Sequence, residues 1–408
     1  MRYTPFLALT LILACARGDA QTATTSAPVM RHHEVRADQL PRPFATSSAG
    51  NPPRVVKRPA GAKLYAPPGF HIELWATNFE EPRNMILSPN GDVFVADMAG
   101  HRIDVFRDTN GDHKPDKRSV FHDNLNRPFG LAFRGNALYV GNTDAIVRFD
   151  YKPGQLAATG DPAPIASLPR GGHATRNVIF NRDGSKMYVA VGSSSNVEDE
   201  TKEPLRAAVT EFNPDGSGAR TFGSGLRNPI ALAWNPVNGT LWTTVNERDG
   251  LGDDLVPDYI TEVKAGAFYG WPFSYIGKNV DPRRKGEHPE LVARAIVPSL
   301  LIESHSAPIT MAFYSGKMFP ERYRNGAFVA LHGSWNRERR TGYKIIHVPF
   351  RNGQPSGGYD DFIVGWAPSP SSDKVWGRPA GLLVLSDGSL LIADDGSNVI
   401  WRVTYDGT

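Results

Sequence analysis

The sequence predicts an all-β protein, a six-bladed β-propeller, on three observations. A unit of two short apolar strands joined by a turn recurs six times. The apolar runs are too short for helices and stop at turn residues. The 40 glycines and 33 prolines are spread along the 408 residues, as many tight turns require.

The six copies can be read in order. RNMILSPNGDVFVAD begins at Arg83, RPFGLAFRGNALYVGN at Arg127, RNVIFNRDGSKMYVAVG at Arg176 and RNPIALAWNPVNGTLWTTVN at Arg227. ITMAFYSGKMFP and NGAFVALHG follow Pro308, and RPAGLLVLSDGSLLIADDG begins at Arg378. Third strands follow several of them (HRIDVFR, AIVRFDY, NVIWRVT). GFHIELWA, residues 69–76, precedes the first full copy and alternates apolar with polar. It is expected to complete the last blade and close the ring, which hides the sheet edges and buries a core without disulfides. Residues 61–408 therefore form the propeller domain.

Ahead of it, residues 1–20 read as an export signal. Arg2 gives a positive start, and the apolar run Phe6 to Ala14 is too short to span a bilayer as a permanent helix. Cys15, the single cysteine, ends that run in ILAC. It is either lipidated as a bacterial lipoprotein anchor, tethering the chain to a membrane, or discarded by cleavage after Ala20. Both readings place the mature protein in the periplasm. Both exclude a disulfide, a cysteine-ligated metal and a CxxCH haem site. Residues 21–60, rich in Ser, Thr, Ala and Pro without periodicity, read as a flexible linker. Within it His32-His33 could bind a metal or stand as a solvated pair.

Lysine and arginine exceed aspartate and glutamate by three, which leaves no footprint for nucleic acid. Positive charge is concentrated locally instead. Arg83, Arg127, Arg176, Arg227 and Arg378 all sit just before an inner strand, so a propeller would gather them around its axis. Either an anion lies among them, since arginine pairs carboxylates bidentately, or each clasps backbone carbonyls of a neighbouring blade. Five in register favour the anion. On the same rim, Gly171-Gly172-His173 offers a histidine whose imidazolium the arginines disfavour, and hence a general base near neutral pH.

Two loops suggest calcium. In Asn246–Asp254 (NERDGLGDD) carboxylates and glycine carbonyls interleave, and Asp249, Gly250 and Asp253 are the candidate ligands of an active-site ion. Asp108, Asn110, Asp112 and Asp116 stand at positions one, three, five and nine of an EF-hand-like loop, without its sixth-position glycine or twelfth-position glutamate. They are expected to hold a structural calcium, with a plain turn as the alternative. Trp271, Trp335 and Trp376 lie in loops, where they could stack on a sugar or anchor the loop.

The strings GFHIELWA, RNVIFNRDGSKMYVAVGSSSN, GLRNPIALAWNP, KAGAFYGWP, ALHGSWNR and RPAGLLVLSDGSLLIADD resemble the sorbosone dehydrogenase-like branch of the quinoprotein sugar dehydrogenases, over residues 64 to 405. The resemblance implies a six-bladed propeller with pyrroloquinoline quinone, a polycarboxylate, lying over the axis. It implies that His173 is the catalytic base and that Arg227 and Asn228 contact the quinone, Arg227 sharing in catalysis by holding charge on it. It implies a calcium at the loop around Asp249 and Gly250, and a cofactor-carboxylate contact at Arg378. The sequence departs from the pattern in three places. Asp249-Gly250 replaces a glycine–proline pair. Asn126-Arg127-Pro128 replaces a glutamine-bearing stretch. His332 replaces a lysine, with Arg337 and Lys344 nearby. The expected cofactor contacts are then Arg83, Arg127, Arg176, Arg227, Asn228, His332, Arg337 and Arg378.

The implied reaction is oxidation of an aldose, sugar aldehyde or related polyol, with electrons passed to an external quinone or cytochrome. A propeller that binds without catalysis, and a calcium-dependent lactonase-like hydrolase, remain the alternatives. The lactonase would want acidic and asparagine ligands at the axis, where the arginines stand.

Overall fold

The computed structural model describes residues 29–407; the export segment, Cys15 and residues 21–28 of the expected linker lie outside the described residues. Six antiparallel sheets of four core strands are arranged as a six-bladed propeller. The inner strands are Pro82–Leu87, Gly130–Arg134, Arg176–Phe180, Pro229–Trp234, Pro308–Phe313 and Pro379–Val384, and each packs against the next around the full circle. Phe70–Ala76 pairs antiparallel with Val399–Tyr405 and completes the sixth blade, as the alternation of GFHIELWA predicts.

Alternation of side chains along each strand puts apolar residues on both faces of every sheet, so a core forms between each pair of blades. Phe94 and Phe121 of the first blade meet Leu138 and Phe149 of the second. Trp242 and Ile260 of the fourth meet Val329 and Ile346 of the fifth, and Ile400 of the sixth meets Val95 of the first. Each buried side chain of this size contributes about 1.5–3 kcal/mol, so six such cores carry the ring without a crosslink. At the axis the backbones approach closely: a Cβ on Gly381 would fall 1.9 Å from the Arg83 carbonyl oxygen. Just inside the strand starts, Met98, Phe129, Ile230, Ile309 and Ala380 form an apolar plug.

The segment from residue 29 to 68 is not a free linker. His32–His33 adds a strand to the outer edge of the fifth blade, and Arg54–Val55 pairs with Lys374–Val375. Between them, Phe44 N–H donates to the Leu251 carbonyl, Thr46 Oγ1 accepts from Asp253 N (2.8 Å) and Ser48 Oγ from Gly252 N (3.1 Å). The composition carries no period because the segment is held by bonds to the propeller, with only short local turns, such as Gln39 N–H to the Arg36 carbonyl, within it. His33 lies on the Tyr359 ring and bonds Asp361 at 3.0 Å, so the histidine pair is an anchor.

Candidate functional site at the propeller axis

The starts of the inner strands and the loops joining them converge at one end of the axis, above the apolar plug. Two polar networks meet there. On the third and fourth blades stand His173, Arg227 and Asp249; on the fifth, sixth and first stand His332, Asp395 and Arg83.

His173 is fixed by its own backbone and side chain. Its N–H donates to the Ser193 carbonyl at 3.1 Å, and Nδ1 donates to the same oxygen at 2.8 Å. That bond sets the tautomer, leaving Nε2 as an acceptor with no partner among the described residues. Burial first, and then the charge of Arg227, push the imidazole down to about 4. Gly172, at φ +66, admits the protein's own chain: a Cβ there would fall 2.3 Å from Ser194 Cα. Gly192 presses against both His173 Cβ and Asn228 Oδ1. Asn228 is 4% exposed, and its Oδ1 is buried without a partner.

The five arginines divide. Arg227 Nη1 donates to the Glu247 carbonyl (2.8 Å), and Nη2 to Asn196 Oδ1 and Asp249 Oδ2 (both 3.1 Å). Arg83 pairs with Glu81 (2.5 Å) and Asp395 (3.0 Å). Arg378 donates to the carbonyls of His332 and Gly333, and its Nη1 makes no bond among the described residues. Arg127 is 48% exposed on its side chain, with Glu81 only at 3.8 Å. Arg176 corrects the expectation of a cofactor contact. It is fully buried and clasps the carbonyls of His173, Thr175 and Pro169. The ring is therefore part clasp and part open donor.

His332 and Arg337 also depart from the expected cofactor set. His332 Nε2 donates to both Asp395 oxygens (2.8 and 2.9 Å), and burial with Arg378 pushes it down to about 4. Burial alone would raise Asp395, but Arg83, His332 and Arg378 hold it at about 2. Arg337 pairs with Asp254 and, at 3.8 Å, with Glu303. Lys344 bonds Asp361 at 2.6 Å beneath the N-terminal strand. None of the three stands free as a lysine substitute. Trp271 and Trp376 are buried anchors, while Trp335 is 51% exposed.

Of the expected ligands of an active-site calcium, Asp249 has its oxygens already taken, while Gly250 accepts no bond among the described residues and Asp253 Oδ1 is buried without a partner. The Asp249 carbonyl already accepts from Asn196 Nδ2 (3.0 Å) and Arg283 Nη1 (2.8 Å). Its carboxylate accepts from Arg227 and from Asn336 Nδ2 (2.5 Å), and one Asp253 oxygen takes the Glu338 N–H. No group of three His, Cys, Asp or Glu side chains among the described residues could hold a metal. The same holds for the structural calcium at Asp108, Asn110, Asp112 and Asp116. Asp108 accepts three backbone N–H groups, from Asn110, Gly111 and His113. Asn110 and Asp112 accept from the backbone two residues on, and Asp116 takes the amide and hydroxyl of Thr109. Hydrogen-bonded turns hold that loop.

Several site residues escape sequence reading. Asn196 bonds the Asp249 backbone at both N and O. His305 donates from Nε2 to the Gly252 carbonyl and accepts at Nδ1 from Asn336. Asp281 aims Arg283. Each comes from a loop outside the repeats, where no pattern marks it.

The donor set fits a flat polyanionic ring: an apolar floor, open donors on Arg127 and Arg378, and beside them the free lone pair of His173 Nε2. Comparison with known proteins agrees. The family description TrAA12-like matches residues 64–262 and 281–406. An uncharacterized protein of Borreliella burgdorferi is 28% identical over 361 residues, 84% of this chain and 91% of that protein. A pyrroloquinoline quinone-dependent pyranose dehydrogenase of Coprinopsis cinerea is 24% identical over 82% of this chain, which spans about half (54%) of that protein. Among solved structures, the calcium structure of a Trichoderma reesei enzyme of carbohydrate-active family AA12 superposes with a TM-score of 0.75 at 18% identity, over 86% of this chain and 98% of that one. The holo pyrroloquinoline quinone domain of the Coprinopsis cinerea pyranose dehydrogenase gives 0.72 at 20%, over 86% and 99%. Those likenesses show the fold, and the family match covers most of the propeller: the chain belongs to the TrAA12-like family.

Proposed function

We propose that this protein is a pyrroloquinoline quinone-dependent dehydrogenase that oxidises a hydroxyl-bearing carbon of an aldose, sugar aldehyde or related polyol. The observation that carries it is His173, with Nδ1 spent on the Ser193 carbonyl and Nε2 unpartnered beside Arg227 and Asn228. When bound, the quinone supplies a two-electron acceptor for the substrate's hydride. His173 Nε2 takes the hydroxyl proton, its low affinity for protons keeping it neutral and ready above pH 5. Arg227 and Asn228 orient the cofactor and oppose negative charge as it develops. Arg127 and Arg378 hold carboxylates, and the plug of Phe129 and Ile230 supplies the dry floor. The reading includes export through residues 1–20, with or without a lipid at Cys15, and an external quinone or cytochrome as electron acceptor.

The pyranose dehydrogenase of Coprinopsis cinerea supports a sugar as substrate. The lactonase alternative lacks a cluster of acidic ligands among the described residues. The test is reconstitution of the purified apoprotein with the quinone, followed by its absorption, and then by a panel of aldoses and sugar aldehydes with an artificial acceptor. Stoichiometric binding with dye reduction is expected. Binding without turnover over a broad panel would favour the non-catalytic propeller, and no binding would overturn the reading.

A further inference from the structure

We infer that Arg283 takes the place of a divalent cation against the Asp249 loop, so that the site loads its quinone without calcium. The inference rests on the quinone reading above and concerns a part of the site where sequence and structure disagree.

A carbonyl oxygen has two lone pairs, and at Asp249 both are used, by Arg283 Nη1 at 2.8 Å and Asn196 Nδ2 at 3.0 Å. Arg283 is aimed there by a fork. Its Nε and Nη2 meet the two oxygens of Asp281 at 2.9 and 2.8 Å, a bidentate geometry that fixes the plane of the guanidinium. Asp281 is itself fully buried, accepts the Arg283 backbone N–H at 2.9 Å, and takes Arg248 Nη1 at 3.1 Å. Gly250, at φ +89, turns its bare side to the same group: a Cβ would lie 3.1 Å from Arg283 Nη1. Any side chain here would press on the guanidinium, which gives the glycine a purpose other than offering a carbonyl.

Charge leads to the same place. Around this loop Arg227, Arg248 and Arg283 face Glu247, Asp249 and Asp281, each in an ion pair. These six charges are paired with one another, and Arg337 pairs with Asp254 beside them. A calcium ion would need six to eight oxygens where those of Asp249 are engaged. The unpartnered buried side-chain oxygens of the loop are three, on Asn246, Glu247 and Asp253, and the ion would add two charges beside two guanidinium groups. An arginine supplies the positive potential permanently and needs no filled coordination shell.

The test uses the full chain after exhaustive chelation, titrated with pyrroloquinoline quinone by tryptophan fluorescence, with chelator or with millimolar calcium. The expected result is equal affinity within about twofold; a tenfold tightening by calcium would overturn the inference. Arg283→Gln is expected to weaken chelated binding by about tenfold, with Arg283→Lys recovering part of it. Full affinity in Arg283→Gln would also overturn it. Should the glutamine variant fail to fold, the wild-type comparison still decides. Should no quinone bind with or without calcium, the quinone reading fails by itself, and calcium calorimetry on the apoprotein judges Arg283. Heat that Asp249→Asn removes would sink the inference, and no such heat would sustain it.

Discussion

At His173 and Asn228 polar atoms are left without partners; at the carbonyl and carboxylate of Asp249 they are matched. His173 Nε2 makes no bond among the described residues, and Asn228 Oδ1 is buried and unpaired. In the same network Asp249 accepts at its carbonyl twice and at each carboxylate oxygen once. Unpaired buried polar groups cost free energy, so a fold retains them where a ligand will meet them. On the function proposed above, the difference assigns labour: the open half does the chemistry, and the half around Asp249 fixes the position and charge of Arg227, the residue the two halves share.

The sharpest way to break this comparison is His173→Gln. Glutamine keeps a hydrogen-bonding side chain but cannot serve as base. Turnover is expected to fall by about 10²–10⁴-fold, with quinone affinity little changed; a variant with full kcat would move the chemistry off the open half. The shared residue gives a second test, on pH. A positive neighbour disfavours imidazolium, so removing Arg227 raises the His173 pKa from about 4 toward the ordinary 6.5. The wild-type acid limb of kcat/KM is expected near pH 4, with the base fully neutral above it. In Arg227→Gln the limb moves upward, and an unmoved limb would uncouple Arg227 from His173.

The open half was legible in the sequence and the saturated half was not, for a physical reason. Gly171-Gly172-His173 and Arg227-Asn228 sit at fixed offsets from repeated strands, so the repeat places them at the axis. The closing strand 69–76 was readable because alternation is local. Arg176 has the same offset as Arg227, yet it turns onto carbonyls of its own blade, and offset alone cannot show which way a guanidinium points. Asp249 and Gly250 have the composition of calcium ligands, but the Asp249 oxygens are claimed by Asn196, Arg283 and Asn336, residues 34 to 87 positions away. The N-terminal strap of residues 29 to 68 escaped because its hydrogen bonds reach across some 200 to 300 residues and leave no period.

That strap sharpens the comparison at smaller scale. Asn51 Nδ2 donates to the carbonyls of Arg337 and Glu338, and Oδ1 accepts from Arg340. It thereby splints the loop that carries Asn336 to Asp249. Asn51→Ala is expected to cost about 1–2 kcal/mol in urea unfolding. It should also raise KM more than it lowers kcat, because the saturated half positions and does not react. Loss confined to kcat would contradict that division.

The smallest expected effect separates the two loops once read as calcium sites. In the Asp108–Asp116 turn the carboxylates serve exposed backbone amides, and Asp112 accepts only from Lys114 N. Asp112→Asn keeps an oxygen in that place while removing a charge. It is expected to change stability by no more than about 0.5 kcal/mol, and calcium should leave the wild-type Tm where it is. A calcium-dependent rise in Tm that Asp112→Asn abolishes would return a structural ion to the first blade. It would leave the Asp249 loop untouched, because there a guanidinium and an amide hold the carbonyl oxygen, whereas the Asp112 carboxylate is solvated and can still exchange its amide for an ion.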